Sequence, residues 1–250
     1  TKQKEDYTFD FYRGRVLFPI HSISGRVLGF GGRTLKNDKK VAKYYNSPES
    51  PIYNKSEILY GLYFSKGAII KYDECLLCEG YTDVISMFQS GIENVVSSSG
   101  TSLTREQIRL VKRYTKNLTI LYDGDAAGIK ASFRGIDLIL EEGLNVQVVL
   151  FPDGEDPDSF AKNHALSEIK EMISLKKQDF ISFKAGVLID GSENDPIQRS
   201  KLIREVVQSV ALIPDQITRS VYVQEIAKKF EIDEKTISNE LIKLLRTRLT

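Results

Sequence analysis

Tryptophan is absent from the 250 residues, and cysteine, histidine and methionine occur twice each. Each scarcity excludes something. The two histidines, His21 and His164, stand alone, so neither a His general base nor a His-rich metal cluster is encoded. The cysteines, Cys75 and Cys78, form one CxxC with no second pair, which leaves a four-ligand zinc site unsupported. They fall in ECLLCEGY, which reads as a strand, where residues three apart point to opposite faces and cannot grip one ion. Sparse cysteine fits a reducing, cytoplasmic setting. No apolar run approaches the roughly 18–20 residues of a membrane span, and no signal-peptide pattern opens the chain. GxxxxGK[ST], GxSxG and HExxH are all missing, which excludes a fused P-loop motor and two common hydrolase chemistries. The first residue is Thr1, so the sequence reads as a piece excised from a longer chain.

What is present is a balanced composition with an uneven layout. Hydrophobic residues make up 41% and charged residues 28%, enough for a soluble protein of one large or two to three small domains. The net charge is only +1, yet nine Lys or Arg against two acids lie between Phe11 and Lys55. Nine acids against Lys130 and Arg134 lie between Asp123 and Asp158. A basic part followed by an acidic part suggests a polyanion held by the first and a metal held by the second. Lys39 and Lys40 read as solvated surface charge.

The middle of the chain alternates strand and helix. DECLLCEG, NVVSSS, LTILYD and NVQVVLFPD are the strands. The helices between them include one capped by Thr104 with Gln107 in a capping box, and one ended by Gly143. This order predicts a mostly parallel sheet flanked by helices, an α/β fold, whose functional groups gather at the carboxyl ends of the strands. Upstream, RVLFPI and GRVLGFGGRTL read as a hairpin turning at Ser24-Gly25, with the glycines of GFGGR marking a bulge or a close backbone approach. NKSEILYGLYFSKG reads as a helix ending near Gly67. From Ser167 onward there is no strand pattern, only amphipathic helices, the last two in a helix-turn-helix-like array better explained as a bundle. The expected parts are a partial, mixed α+β basic subdomain over 1–73, a metal-binding subdomain over 74–166, and a helical subdomain over 167–250.

Three acidic clusters lie at or just past the ends of predicted strands: Glu79 in CEGYTD, Asp123 and Asp125 in YDGDAAG, and Asp156 and Asp158 in PDGEDPD. Crowded carboxylates are costly unless a cation shares their charge, and hard oxygen donors suit Mg²⁺ or Mn²⁺. Five carboxylates exceed what one ion needs, which favours two or more ions and phosphoryl-transfer chemistry. Asp83 falls in a helix first turn, in support of the set or merely favouring the helix dipole. Asp153 reads as a turn residue and Glu155 as a side chain facing water.

The motifs EGYTD, YDGDAAG and DGEDPD resemble the Toprim domain of primases, topoisomerases and certain nucleases. With RVLFPI, GFGGR, KYYNSPES and LYGLY upstream in that order, residues 10 to 160 resemble the RNA polymerase domain of bacterial replicative primases of the DnaG type, and the helices beyond fit that family's helical subdomain. The resemblance implies synthesis of short RNA primers on single-stranded DNA from ribonucleoside triphosphates. Glu79, Asp123 and Asp125 would be catalytic and metal-holding, Asp156 and Asp158 metal-holding, and Asp83 supporting. Arg33, Lys43 and Lys55, more weakly Arg13 and Arg15, with Gly31, Gly32 and Asn46, would meet template, primer or triphosphate. It also implies a replicative helicase and single-strand-binding protein as partners of the full-length parent, and a monomer. The family's zinc module has no Cys/His cluster to form it here, so no zinc is expected, and a helicase-binding region is not evident. The other readings are a Toprim nuclease or topoisomerase relative, and a non-catalytic Toprim clamp on DNA.

Overall fold

The computed structural model describes residues 2–4, 7–36, 41–100, 102–123, 126–152, 154–189 and 195–249. The chain opens on an antiparallel ribbon of β1 (Lys2–Lys4) and β2 (Tyr7–Phe9). A three-stranded antiparallel sheet follows: β3 (Arg15–His21), β4 (Val27–Thr34) and β5 (Tyr44–Asn46). The turn expected at Ser24-Gly25 joins the first two, with Gly25 at φ +90° and its N–H donating to Ser22 O at 3.0 Å. Phe18 and Ile20 alternate inward along β3 and pack on Tyr53 and Tyr81.

The GFGGR glycines behave differently from one another. The register slips once, between Ile20 and His21, leaving Leu28 as an extra residue beside Gly29. Through Gly31 and Gly32 the ladder is continuous, and these two are approached from within the chain by rings rather than by a backbone. A Cβ on Gly31 would stand 2.6 Å from the Tyr81 ring, and one on Gly32 2.7 Å from Tyr12.

The segment expected as one helix to Gly67 is instead two pieces. A single 3₁₀ turn spans Lys55–Glu57, and α1 (Leu62–Tyr72) starts at Gly61 and runs through Gly67 to Asp73. Between them Tyr60 bridges to Ser97, and Gly61, at φ +86°, lies so close to Val84 that a Cβ would come within 2.9 Å of it. The tertiary bridge breaks what helical propensity alone would have continued.

Beyond α1 lie β6 (Cys75–Cys78), α2 (Tyr81–Gln89), β7 (Val95–Ser97), α3 (Arg105–Lys112), β8 (Asn117–Tyr122), α4 (Ala126–Glu141), β9 (Asn145–Leu150), α5 (Pro157–Asn163), α6 (Leu166–Lys176), β10 (Gln178–Asp179), α7 (Phe180–Ile189), α8 (Pro196–Val210), α9 (Gln216–Phe230) and α10 (Glu234–Leu249). The sheet order is β10-β9-β8-β6-β7, with β6 to β9 parallel and only β10 antiparallel. β9 was expected to be the last strand; the two-residue β10 was too short to leave a pattern.

The strands are buried on both faces. Cys75 and Leu77 join the core under α3, α4 and the bundle α7–α10, whereas Leu76 and Cys78 join the core under α2, α5 and α6. The two cysteines therefore do point apart, and both are free and buried. Lys184, only 3% exposed, ties the bundle to the sheet layer: its Nζ reaches Asp137 of α4 at 2.8 Å and Ser209 of α8 at 2.6 Å. No helix among the described residues is long and apolar enough to cross a membrane.

Candidate metal and nucleic-acid site

Strand register carries the acidic residues to one edge. β6 and β8 are neighbours with Leu77 opposite Ile120, and β8 pairs with β9 with Tyr122 opposite Leu150. Glu79, one residue past β6, and Asp123, one past β8, therefore leave the sheet on the same carboxyl edge. The chain beyond β9 remains at this edge, because Phe151 N–H donates to Tyr122 O at 3.0 Å.

Electrostatics report the same convergence. Asp83 is buried, and its carboxyl is pushed up to about 6, first by burial and then, against a favourable bond from Gly80 N–H, by Asp123, Asp156 and Asp158. That Gly80 N–H to Asp83 Oδ2 bond, at 2.8 Å, caps α2 from its third residue. Glu79 is also pushed up, by partial burial and by Asp83. The Cys78 thiol beneath them is held well above its usual range by burial, with Asp83, Cys75, Asp123 and Glu79 adding to it. Carboxylates from behind three strands thus feel one another.

PDGEDPD is not a plain loop. Asp156 is the N-cap of α5, accepting from Ser159 N at 2.6 Å, with Pro157 at the first helical position. Asp158 sits in the first turn, accepting from Ser86 Oγ and from Lys162 Nζ at 2.7 Å. Burial acts to raise its carboxyl, but these two donors, the Lys162 charge and Arg33 outweigh it and hold it below the usual range. The signal was legible: Asp-Pro followed by Ser two residues on is a helix start. Glu155 does not simply face water either; its Oε2 is buried without a hydrogen-bond partner among the described residues. Asp125 and Asp153 lie outside the described residues, as do Lys39 and Lys40.

The basic candidates separate into three kinds. Arg33 on β4 lies over the Tyr44 ring at 5.6 Å, and its charge contributes to holding Asp158 low. Arg13 and Lys43 are exposed, and Lys55 is half-buried. Arg15 differs from expectation. Its guanidinium is bound to the carbonyls of Gly32, Lys43 and Ala42 at 3.0, 3.2 and 2.8 Å, so it staples the sheet rather than presenting donors outward. Asn46 is likewise engaged, accepting from Tyr81 Oη at 3.0 Å and donating to Ser99 O at 3.4 Å. Gly31 and Gly32 were expected to admit a nucleic-acid backbone, but the space on their Cβ side is filled by Tyr81 and Tyr12.

Tyr81, between Glu79 and Asp83 in sequence, was missed as a structural hub. It stacks on Phe18 at 5.0 Å with rings 2° from parallel and meets Tyr60 edge-on at 4.7 Å. One ring therefore locks the basic sheet against the acidic edge.

Three family models match. DNA primase catalytic core, N-terminal domain, covers residues 1–66, and Toprim-like covers residues 76–161. DnaB-helicase binding domain of primase covers residues 194–235, a signature inside the chain that the sequence alone did not disclose. The DNA primase of Halalkalibacterium halodurans is 36% identical over 246 residues, which is 98% of this chain and 41% of that protein. A DNA primase domain from Pseudomonas aeruginosa superposes with TM-score 0.83 at 31% identity, covering 96% of this chain and 76% of the other. The chain belongs to the DnaG-type bacterial primases. A DnaG primase catalytic domain bound to single-stranded DNA also superposes, with TM-score 0.80 at 32% identity over 91% of this chain and 74% of that one. The chain spans about two fifths of the length of the curated primases it matches, as the 41% figure records.

Toprim primases as a family are metal-dependent. Among the described residues no three His, Cys, Asp or Glu side chains form a ready metal-binding group. The donor chemistry nevertheless fits a hard cation: the candidates are all carboxylate oxygens, the charges of Asp123, Asp156 and Asp158 act on Asp83, and Glu155, nearby in sequence, has a buried oxygen with no hydrogen-bond partner among the described residues. Mg²⁺ takes only one or two protein carboxylates and fills its shell with water and phosphate, so a closed cage is not required.

Proposed function

We propose that this chain is the RNA-polymerising core of a primase, joining ribonucleoside triphosphates into a short RNA primer on single-stranded DNA. The observation that carries the reading is the strand register that sends Glu79 and Asp123 off the same sheet edge, together with the charges of Asp123, Asp156 and Asp158 felt at Asp83 and that of Arg33 felt at Asp158. It is supported by the resemblance to primase catalytic cores, one of them bound to single-stranded DNA. The working division is a basic part over 1–73, a metal-binding part over 74–166 and a helical part over 167–250.

Glu79, Asp123 and Asp125 would hold Mg²⁺ or Mn²⁺, two or more ions in all, with Asp156 and Asp158 beside them. When bound, such ions neutralise triphosphate charge and acidify the attacking 3′-hydroxyl. The chain's own residues orient and hold. Asp83 fixes the start of α2 and so the position of Glu79. Tyr81 keeps the basic sheet in register with the edge. Arg33 offers its charge to phosphate at the junction, and Lys43, Lys55 and Arg13 extend the cationic track for template and primer. No side chain need act as nucleophile. The partners this implies are template, primer and triphosphates, with a replicative helicase engaged in the region of 194–235 and single-strand-binding protein on the template; the working state is a cytoplasmic monomer.

The test is incorporation of labelled ribonucleotides on a single-stranded template. Wild type should make short RNA with Mg²⁺ or Mn²⁺, and Asp123→Ala should make none while keeping its circular dichroism. Strand nicking without incorporation would instead favour the nuclease reading. Template binding by Arg33→Ala should show a salt dependence shallower by roughly one unit of slope; an unchanged slope would remove Arg33 from the track.

A further inference from the structure

One carboxylate on the acidic edge is treated unlike its neighbours. Asp158 has both oxygens engaged: Oδ1 accepts from Ser86 Oγ, and Oδ2 accepts from Lys162 Nζ at 2.7 Å, one turn further along α5. Glu79, Asp83 and Asp156 make no ion pair among the described residues. Ser86 is 5% exposed and lies on α2 one turn after Asp83, so Asp158 cannot turn away without stranding a buried hydroxyl. Lys162 is the opposite case. Its side chain is 61% exposed, so its ammonium can swing into water at little cost. The pair thus combines a fixed anion with a releasable cation at the rim of the site.

We propose that Lys162 is a tethered counter-ion that occupies the Asp158 side of the acidic edge, competes with divalent cations there, and so sets how tightly the site loads. This rests on the reading of the edge as a divalent-cation site. In the metal-free chain the ammonium offsets part of the carboxylate repulsion. An arriving divalent ion meets that positive charge and must displace it. Incoming phosphate would also meet Lys162 once it has left Asp158, so the released ammonium has an anionic alternative.

The direct test is Mn²⁺ binding to the full chain by calorimetry and by the loss of the free-ion electron paramagnetic signal, comparing wild type, Lys162→Met, Lys162→Arg and Asp123→Asn. Lys162→Met should bind Mn²⁺ roughly threefold to tenfold more tightly at low salt, the advantage shrinking at about 1 M salt where the screening length falls to about 3 Å. Lys162→Arg should stay near wild type. If Lys162→Met binds as wild type or more weakly while Asp123→Asn loses affinity, the counter-ion proposal is overturned and the cation site stands. If wild type takes up no Mn²⁺, or Asp123→Asn binds as wild type does, both are overturned together. Circular dichroism of each variant confirms that the folds compared are the same, and Lys162 is exposed enough that its loss leaves the core intact.

Discussion

Asp83 is where the electrostatic cost of the site is written most plainly. Its carboxyl is pushed up to about 6 by burial and by its acidic neighbours. The folded chain therefore keeps a proton that the unfolded chain has already released. The stability this contributes is fully present below the ordinary carboxylate range and is lost as pH rises through about 6. Metal-free protein should melt at lower temperature at pH 7 than at pH 5, by an amount corresponding to roughly 1 kcal/mol, the share of a total of about 3 kcal/mol that falls between those two pH values. Asp83→Asn, which can still accept from Gly80, should flatten that profile, and added Mg²⁺ should restore stability at pH 7 in the wild type. A wild-type melting temperature that does not fall between pH 5 and 7 would contradict it. Gly31 makes a steric case of the same kind. Its Cβ position lies 2.6 Å from the Tyr81 ring, so Gly31→Ala should cost about 1–3 kcal/mol in urea unfolding by displacing the ring that joins the two sheets. A cost near zero would mean the ring moves aside freely.

Among the elements, α4 and α5 both tie the site to the rest of the molecule. Asp156 serves as the α5 cap, so Asp156→Ala should lower metal-free stability by about 1 kcal/mol, in addition to any change in ion binding. An unchanged unfolding midpoint would show that the cap is satisfied otherwise. The Lys184 link from α7 to α4 and α8 should be asymmetric. Asp137→Ala strands an ammonium that is 3% exposed, and should cost about 3 kcal/mol. Lys184→Met leaves a carboxylate whose side chain is 37% exposed and can turn to water, so it should cost less. Equal costs in guanidinium unfolding would refute this ordering. The alternating strands and helices of the middle, the Thr104 and Gly143 helix ends and the bundle helices were legible because they depend on local periodicity and capping. The break before α1, the pairing of β10 and the ring-filled glycines were not, because each is decided by a partner remote in sequence: Ser97 for Tyr60, β9 for β10, Tyr81 for Gly31. α5 is the exception, a helix whose Asp-Pro start is visible in the sequence behind the acidity of the same residues.

On the scale of the whole molecule, the uneven charge of the sequence becomes a boundary. A basic antiparallel sheet abuts the carboxyl edge of a parallel one, with Tyr81 packed between them and the charge of Arg33 felt at Asp158. The acidic residues were identifiable as a set because the parallel strand order sends every strand's carboxyl end the same way. Which basic residues reach that edge was not identifiable, since Arg15 and Arg33 lie on paired strands of one sheet and differ only in which carbonyls or charges they meet in three dimensions. On the proposed reading, carboxylates from behind β6, β8 and β9 converge to hold divalent cations. A crystal soaked in Mn²⁺ and measured at the manganese edge tests it most directly. Anomalous peaks flanked by Glu79 and Asp123 are the predicted result; manganese bound only away from these side chains, at a concentration that supports synthesis, would contradict the account.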